Sequence, residues 1–373
     1  MIRVGILSMQ RIANYGSFLQ AYGLKKIFEE FGCKVEFVDY RVGECLVQDD
    51  CSKGMARKLS KATEIIKLNA PLKEKIRFIQ YKRKYGKNYY PYLEIGEQKN
   101  YAPELDLLVI GSDEVFNCVQ DNTNVGFSPE LFGEGNRAQR LITYAASFGN
   151  TTISDLEKYK VKEKVSQWLK RFDALSVRDK NSGNIVKELT GILPEYHPDP
   201  VLAYDFIGRC EQIPASVPES DYMILYGYSG RFTTEECREI RAYANKNGWK
   251  VFCIGGVQQC CDRYVDCNPF QVITYFQQAA CIVTDTFHGT ILSVITQQKF
   301  VSFVRSSGYG NAEKLTDILD RLCLQERRIE NLDRLEEMLS TTIDYAKTND
   351  IIHAERERVR EYLKKELEQC TRN

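Results

Sequence analysis

Histidine is scarce in this chain: His197, His288 and His353 are the only three in 373 residues. Imidazole alone has an ordinary pKa near neutrality, so proton transfer of that kind falls to one of three positions. An excess of either charge is also lacking. Lysine plus arginine (51) equals aspartate plus glutamate (51), which removes the field that nucleic acid would need, and no nucleic-acid partner is expected. No apolar run approaches the roughly twenty residues of a membrane-spanning helix. The first residues already read as a strand, with no export signal, so the expected location is cytoplasmic. The first strand-to-helix turn has no GxGxxG, which leaves NAD and FAD without support. The thirteen cysteines lack paired CxxC spacing, and the group Cys253, Cys260, Cys261 and Cys267 has no histidine nearby. They read as reduced, mostly buried thiols, and neither a metal site nor a resident cofactor is expected.

What is present is a regular alternation of strand and helix. Residues 2–7 read as a buried strand, 17–31 as a helix closed by Gly32, and 33–40 as the next strand. Strand patterns follow at 105–110, 140–146 and 174–177, with one helix expected over 154–172. The proline-rich stretch 193–202 reads as a hinge. A second alternation begins at Tyr222 and includes strands near 222 and 250–254 and helices near 233–247 and 269–280. Length and pattern predict two domains. One is an N-terminal Rossmann-like domain over 1–195, with a basic helical insertion near 51–87. The other is a C-terminal Rossmann-like domain over 196–345. The last segment, 346–373, is expected to form a helix packing back across them.

The basic insertion carries twelve lysines and arginines from Lys53 to Lys87 against Glu64 and Glu74. Two readings stay open: a solvated helical face, or a surface for an anionic membrane or a polyanionic acceptor.

The densest chemistry lies at 279–303. An apolar strand (Cys281, Ile282, Val283) runs through Thr284-Asp285-Thr286 into Phe287-His288-Gly289 and a helical repeat. A helix start presents unpaired N–H groups and the positive end of its dipole. A His-Gly pair placed there suits a phosphate or carboxylate, and an anion-binding and a capping role are both open. Polar loops also end other strands: Asn14-Tyr15-Gly16, Gly111-Ser112-Asp113-Glu114-Val115-Phe116-Asn117, Ala146-Ser147-Phe148-Gly149 and Ser176-Val177-Arg178-Asp179. Strand-end loops are where open α/β sheets place ligands.

In order and approximate spacing these motifs, with Asp199-Pro200-Val201-Leu202 and Thr284-Asp285-Thr286-Phe287-His288-Gly289-Thr290, resemble the polysaccharide pyruvyl transferase family over most of residues 1–325. The resemblance implies a GT-B-like fold, two Rossmann-like domains facing each other across a cleft. It also implies transfer of pyruvate from phosphoenolpyruvate to sugar hydroxyls as a ketal on a polysaccharide or cell-surface glycan precursor. His288 is then the group that holds or protonates phosphoenolpyruvate, with Gly289 and Thr290 supplying N–H groups. Asp113 or Asp285 is the candidate base for the acceptor hydroxyl. Asn14, Tyr15, Gly16 and Ser112 are expected on the substrate side of the cleft. Many members carry arginine two residues before this histidine, where Thr286 stands here. Arg178, Arg305 and Lys314 are the candidates to replace that cation. The implied acceptor is a sugar or oligosaccharide, free or lipid-linked, the latter placing the protein at the inner face of the membrane. A GT-B-like glycosyltransferase using a nucleotide sugar, and a non-catalytic member that binds a glycan precursor, are the alternatives.

Overall fold

The computed structural model describes residues 1–47, 65–305 and 312–371. Among the described residues twelve strands form two six-stranded sheets, and every pairing is parallel. The first sheet has the order β2-β1-β3-β4-β5-β6, with β1 at Arg3–Leu7, β2 at Lys34–Phe37, β3 at Glu104–Asp113, β4 at Arg137–Ala146, β5 at Ser176–Val177 and β6 at Glu195–Tyr196. The second has the order β12-β11-β10-β7-β8-β9, with β7 at Tyr222–Tyr226, β8 at Lys250–Ile254, β9 at Arg263–Tyr264, β10 at Ile282–Thr284, β11 at Phe300–Phe303 and β12 at Arg328–Ile329. Parallel strands must return through crossover connections, and helices supply most of them. The result is two Rossmann-like halves in a GT-B-like arrangement.

The helices that matter for the site are α1 (Tyr15–Glu30), α2 (Leu72–Tyr89), α3 (Lys180–Thr190), α4 (Pro200–Ala203), α5 (Thr234–Lys246), α6 (Pro269–Gln278), α7 (Phe287–Ile295), α8 (Ala312–Arg321) and α9 (Ala346–Cys370). Helix α1 starts where Asn14 accepts a hydrogen bond from the Gly16 amide, and it ends before Gly32, which takes a φ of +76°. Its apolar side reaches the other half directly: Phe270 of α6 lies with its ring centroid 5.6 Å from Phe18 and 4.9 Å from Tyr22. All three rings are buried, and each contributes about 1.5–3 kcal/mol by burial. The two halves therefore share one continuous core.

Three expectations differ from the structure. The proline-rich stretch 193–202 is not a free hinge: β6 adds an edge to the first sheet, and α4, capped by Asp199, is buried. The helix expected over 154–172 is two helices, Ile153–Lys158 and Lys162–Leu169, separated where Lys160 takes a φ of +55°. The described part of the basic insertion is not a freely solvated helix. Helix α2 turns Phe78, Tyr81 and Tyr85 inward, and Tyr81 packs 5.7 Å from Tyr264 of β9 and 5.6 Å from Tyr15 of α1. Residues 51–64 of that insertion lie outside the described residues.

Helix α9 begins against the second half and ends on the first. Thr348 donates to the Leu322 carbonyl, while Tyr362 donates to the Thr143 carbonyl of β4.

Candidate active site

Between the halves lies a cavity of about 240 Å³. Its wall is made by the start of α1, the loop after β3, the strand-end Arg178, the start of α7, Lys314 of α8 and the inner face of α2.

His288 is the second residue of α7. Thr286 caps that helix, its Oγ1 accepting from the Gly289 amide at 3.0 Å. The donors left at the helix start are the amides of Phe287 and His288. The imidazole sits against α1 of the other half: a Cβ built on Gly16 would lie 2.2 Å from His288 Cγ and Nδ1. Nε2 stands 3.5 Å from Asp199 Oδ2, at ion-pair distance, yet makes no hydrogen bond among the described residues.

Asp199 begins a chain of charges. Its Oδ2 accepts from Arg178 Nη1 at 2.8 Å, and its Oδ1 accepts from the Val201 amide at 3.0 Å. Arg178 Nη2 donates to Asp113 Oδ1 at 3.2 Å, and Ser17 Oγ donates to Asp113 Oδ2 at 2.8 Å. The Arg178 guanidinium also lies 4.7 Å from the Phe287 ring centroid. Burial works to raise the Asp199 pKa, but His288 and Arg178 outweigh it and hold the carboxyl below its ordinary value.

Two further cations pair with acids at the wall. Lys314 Nζ lies 2.5 Å from Glu114 Oε1. Burial opposes ionisation of Glu114, and Lys314 with Arg178 and Asn117 overcomes that and holds its pKa at about 2. Arg231 lies 2.8 Å from Asp285 Oδ2 through Nε, and Arg305 approaches the same oxygen at 3.4 Å. Lys82, from α2, differs: it donates to the Ala13 carbonyl, and among the described residues no carboxylate pairs with it. Burial lowers its pKa from 10.5 to about 8.

The structure brings Asn14, Tyr15, Asp113, Arg178, His288 and Lys314 into the cavity wall. The Tyr15 hydroxyl is committed elsewhere, donating to the Cys267 carbonyl at 2.9 Å. The other candidates stand outside the wall. Gly16 seats the imidazole instead of facing the cavity. Ser112 is fully buried and donates to the Ala145 carbonyl. Asp285 is buried beneath Arg231 and Arg305, so it orients cations instead of facing a hydroxyl. The Gly289 amide is used by the cap, and Thr290 is buried with its amide on the Thr286 carbonyl. Arg305 is held by Glu236 at 2.7 Å. The cations gathered where Thr286 lacks a charge are thus Arg178, Lys314, Arg231 and Lys82.

Arg231, Lys82, Glu114 and Asp199 were not singled out by sequence reasoning. Glu114 and Asp199 stand inside motifs already noted, and an Asp-Pro pair marks a helix cap. Arg231 and Lys82 carry no local signal. The other histidines are elsewhere. His197 is buried between Tyr144 and Tyr362, with Nδ1 2.8 Å from Ser176 Oγ. His353 is exposed on α9. Among the described residues no group of three or more His, Cys, Asp or Glu side chains is placed to hold a metal. No described helix is long and apolar enough to cross a membrane.

A two-domain α/β protein with a cation-lined interdomain cavity and a histidine at a helix start is the class that this geometry defines. The polysaccharide pyruvyl transferase family model matches residues 14–307, and the chain belongs to that family. No curated protein matches the chain at a significant level. Among solved structures, it is similar to the glycotransferase of kitacinnamycin, at 11% identity and a TM-score of 0.43 over 98% of each chain. It is also similar to LpCGTa in complex with UDP, at 10% identity and a TM-score of 0.48 over 98% of this chain and 99% of that one. UDP-N-acetylglucosamine 2-epimerase from Rickettsia bellii gives 9% identity and a TM-score of 0.48 over 98% and 96%.

Proposed function

We propose that the protein transfers the pyruvyl group of phosphoenolpyruvate to two hydroxyls of a sugar or oligosaccharide acceptor, forming a ketal on a glycan precursor. The observation that carries this reading is His288. It faces the cavity with Asp199 at 3.5 Å, and Lys82, Arg231 and Lys314 line the same wall. Phosphoenolpyruvate carries a phosphate and a carboxylate, and both call for charge-assisted donors. Lys82 is the most responsive of these, because an anion would relieve the desolvation of its ammonium group.

In the reaction, His288 gives a proton to the methylene carbon, which becomes the methyl group. The electron deficiency then rests on the adjacent carbon. One sugar hydroxyl bonds to that carbon, its bond to the phosphate oxygen breaks, and a second hydroxyl closes the ketal. Of the two hydroxyl protons, one restores His288 and the other leaves on inorganic phosphate. Asp199 stabilises the imidazolium before transfer. Glu114, with a pKa of about 2, is too weak a base to take a hydroxyl proton. Asp113 is the remaining carboxylate in the wall, and we assign it the relay of the second hydroxyl's proton to the departing phosphate, which leaves the carboxylate unchanged after turnover. No metal or resident cofactor has a step in this scheme.

The test is thermal protection by phosphoenolpyruvate in the parent and in His288→Ala, followed by phosphate release with candidate acceptors. Protection and turnover in the parent, both lost in the variant, are the expected result. Protection by a nucleotide sugar and none by phosphoenolpyruvate would overturn the assignment.

A further inference from the structure

Helix α2 has two unlike faces. At 3.6 residues per turn, Leu72, Lys73, Ile76, Gln80, Arg83, Lys84 and Lys87 fall within an arc of about 120°. All seven are exposed, Leu72 by 62% and Ile76 by 47%. The opposite side carries Phe78, Tyr81 and Tyr85 into the core and Lys82 toward the cavity. Just before the helix, Ile66 is 53% exposed beside exposed Lys67. The lone acid between residues 65 and 92, Glu74, is turned inward, where it accepts from the Tyr264 amide. Every charge on the outer face is therefore positive, on a chain whose formal charges balance when summed over its whole length.

The geometry points to this face as a docking surface for an anionic phospholipid bilayer. Lysine and arginine near such a surface gain from its negative potential, and aliphatic side chains between them insert at the acyl boundary. Those aliphatics decide between possible polyanions. Leu72, Ile76 and Ile66 gain nothing against the phosphate backbone of a nucleic acid, whereas a bilayer buries them. The same helix walls the catalytic cavity from its inner side, so docking would hold that cavity within about one helix diameter of the lipid surface.

This inference does not depend on the reaction proposed above, and binding is read separately from turnover. The full chain is sedimented with phosphatidylcholine vesicles, with and without phosphatidylglycerol, at low and high salt. Binding is expected only to the phosphatidylglycerol vesicles, and it should weaken as salt is raised. Replacing Lys73, Arg83, Lys84 and Lys87 together by Gln should weaken it at least about tenfold. Leu72→Ser with Ile76→Ser should weaken it while leaving the salt dependence in place. His288→Ala should bind as the parent does. Thermal melting confirms that each variant is folded. No binding to anionic vesicles at low salt, equal binding to both vesicle types, or full binding by the Gln variant would overturn the proposal. Binding to RNA but not to vesicles would do the same.

Discussion

Gly16 and His288 belong to different halves of the molecule, yet the glycine's missing side chain is the space that the imidazole occupies. A Cβ on Gly16 would come 2.2 Å from two atoms of the ring, and no real contact is that short. The position lies in the first turn of α1, where alanine is a better helix former than glycine. Gly16→Ala therefore separates helix stability from the seating of His288. Its helix should tolerate the change, while the ring is displaced from Asp199. Turnover should fall at least about a hundredfold, the scale of loss for a reacting group moved by an ångström. Parent-like kcat in Gly16→Ala would show that the imidazole position does not matter.

On the proposed reaction, Lys82 should make donor binding depend on pH. Its pKa is lowered by burial to about 8, so the ammonium is present below that value and lost as pH rises through it. Affinity for an anionic donor should fall across the same interval, read as KM for phosphoenolpyruvate against pH. Protonating this group costs the fold, so its contribution to stability runs the other way and improves with pH between about 8 and 10.5. Lys82→Arg keeps the charge at all of these pH values and should flatten the KM profile near pH 8. A profile identical to the parent's would remove Lys82 from the donor site.

Much of the fold was legible because parallel sheets write themselves as apolar runs. Val4, Ile6, Val109, Ile142, Ile224 and Val283 are all fully buried, as continuous β-branched segments predict. The residues lining the cavity were legible where chemistry coincided with a strand end or a helix start, as at Asp113, Arg178, His288 and Lys314. Asp285 shows why proximity in sequence misled. It precedes His288 by three residues, but β10 points it beneath the cavity wall, onto Arg231 and Arg305. Arg231 was not singled out, and Lys82 was read only as part of the basic insertion, because their place is set by long-range packing. Arg231 follows β7 and is fixed by Asp285 from β10's end, and Lys82 enters on a helix whose composition reads as solvated.

Arg231 and Asp285 form an ion pair in which the carboxylate is buried and only the arginine, partly exposed, reaches the cavity. Arg231→Gln removes a charge that lines the cavity, and on the proposed reaction it should raise the donor KM by about tenfold to a hundredfold, the range for a lost charge-assisted hydrogen bond. Asp285→Asn should act in the same direction but more weakly, because the guanidinium remains and only its orientation loosens. A larger effect from Asp285→Asn than from Arg231→Gln on kcat at saturating donor would instead restore a direct chemical role to Asp285.

His197 serves the fold, and acid should expose that role. It is buried against Tyr144 and Tyr362, with Ser176 on Nδ1. Burial first, then Arg358 and Arg321, lowers its pKa from 6.5 to about 3. The folded protein thus holds this ring neutral where the unfolded chain would protonate it. The stability that follows is fully present above pH 6.5 and drains away as pH falls toward 3, a span worth on the order of 5 kcal/mol. His197→Asn keeps a polar group for Ser176 and removes the titration. It should be less stable than the parent at neutral pH by about 1–3 kcal/mol. Its denaturant midpoint should also decline less steeply between pH 6.5 and the acid limit. The same acid slope in both proteins would assign the loss to the carboxylates instead, since protonation of Asp199 would release Arg178 and His288 together.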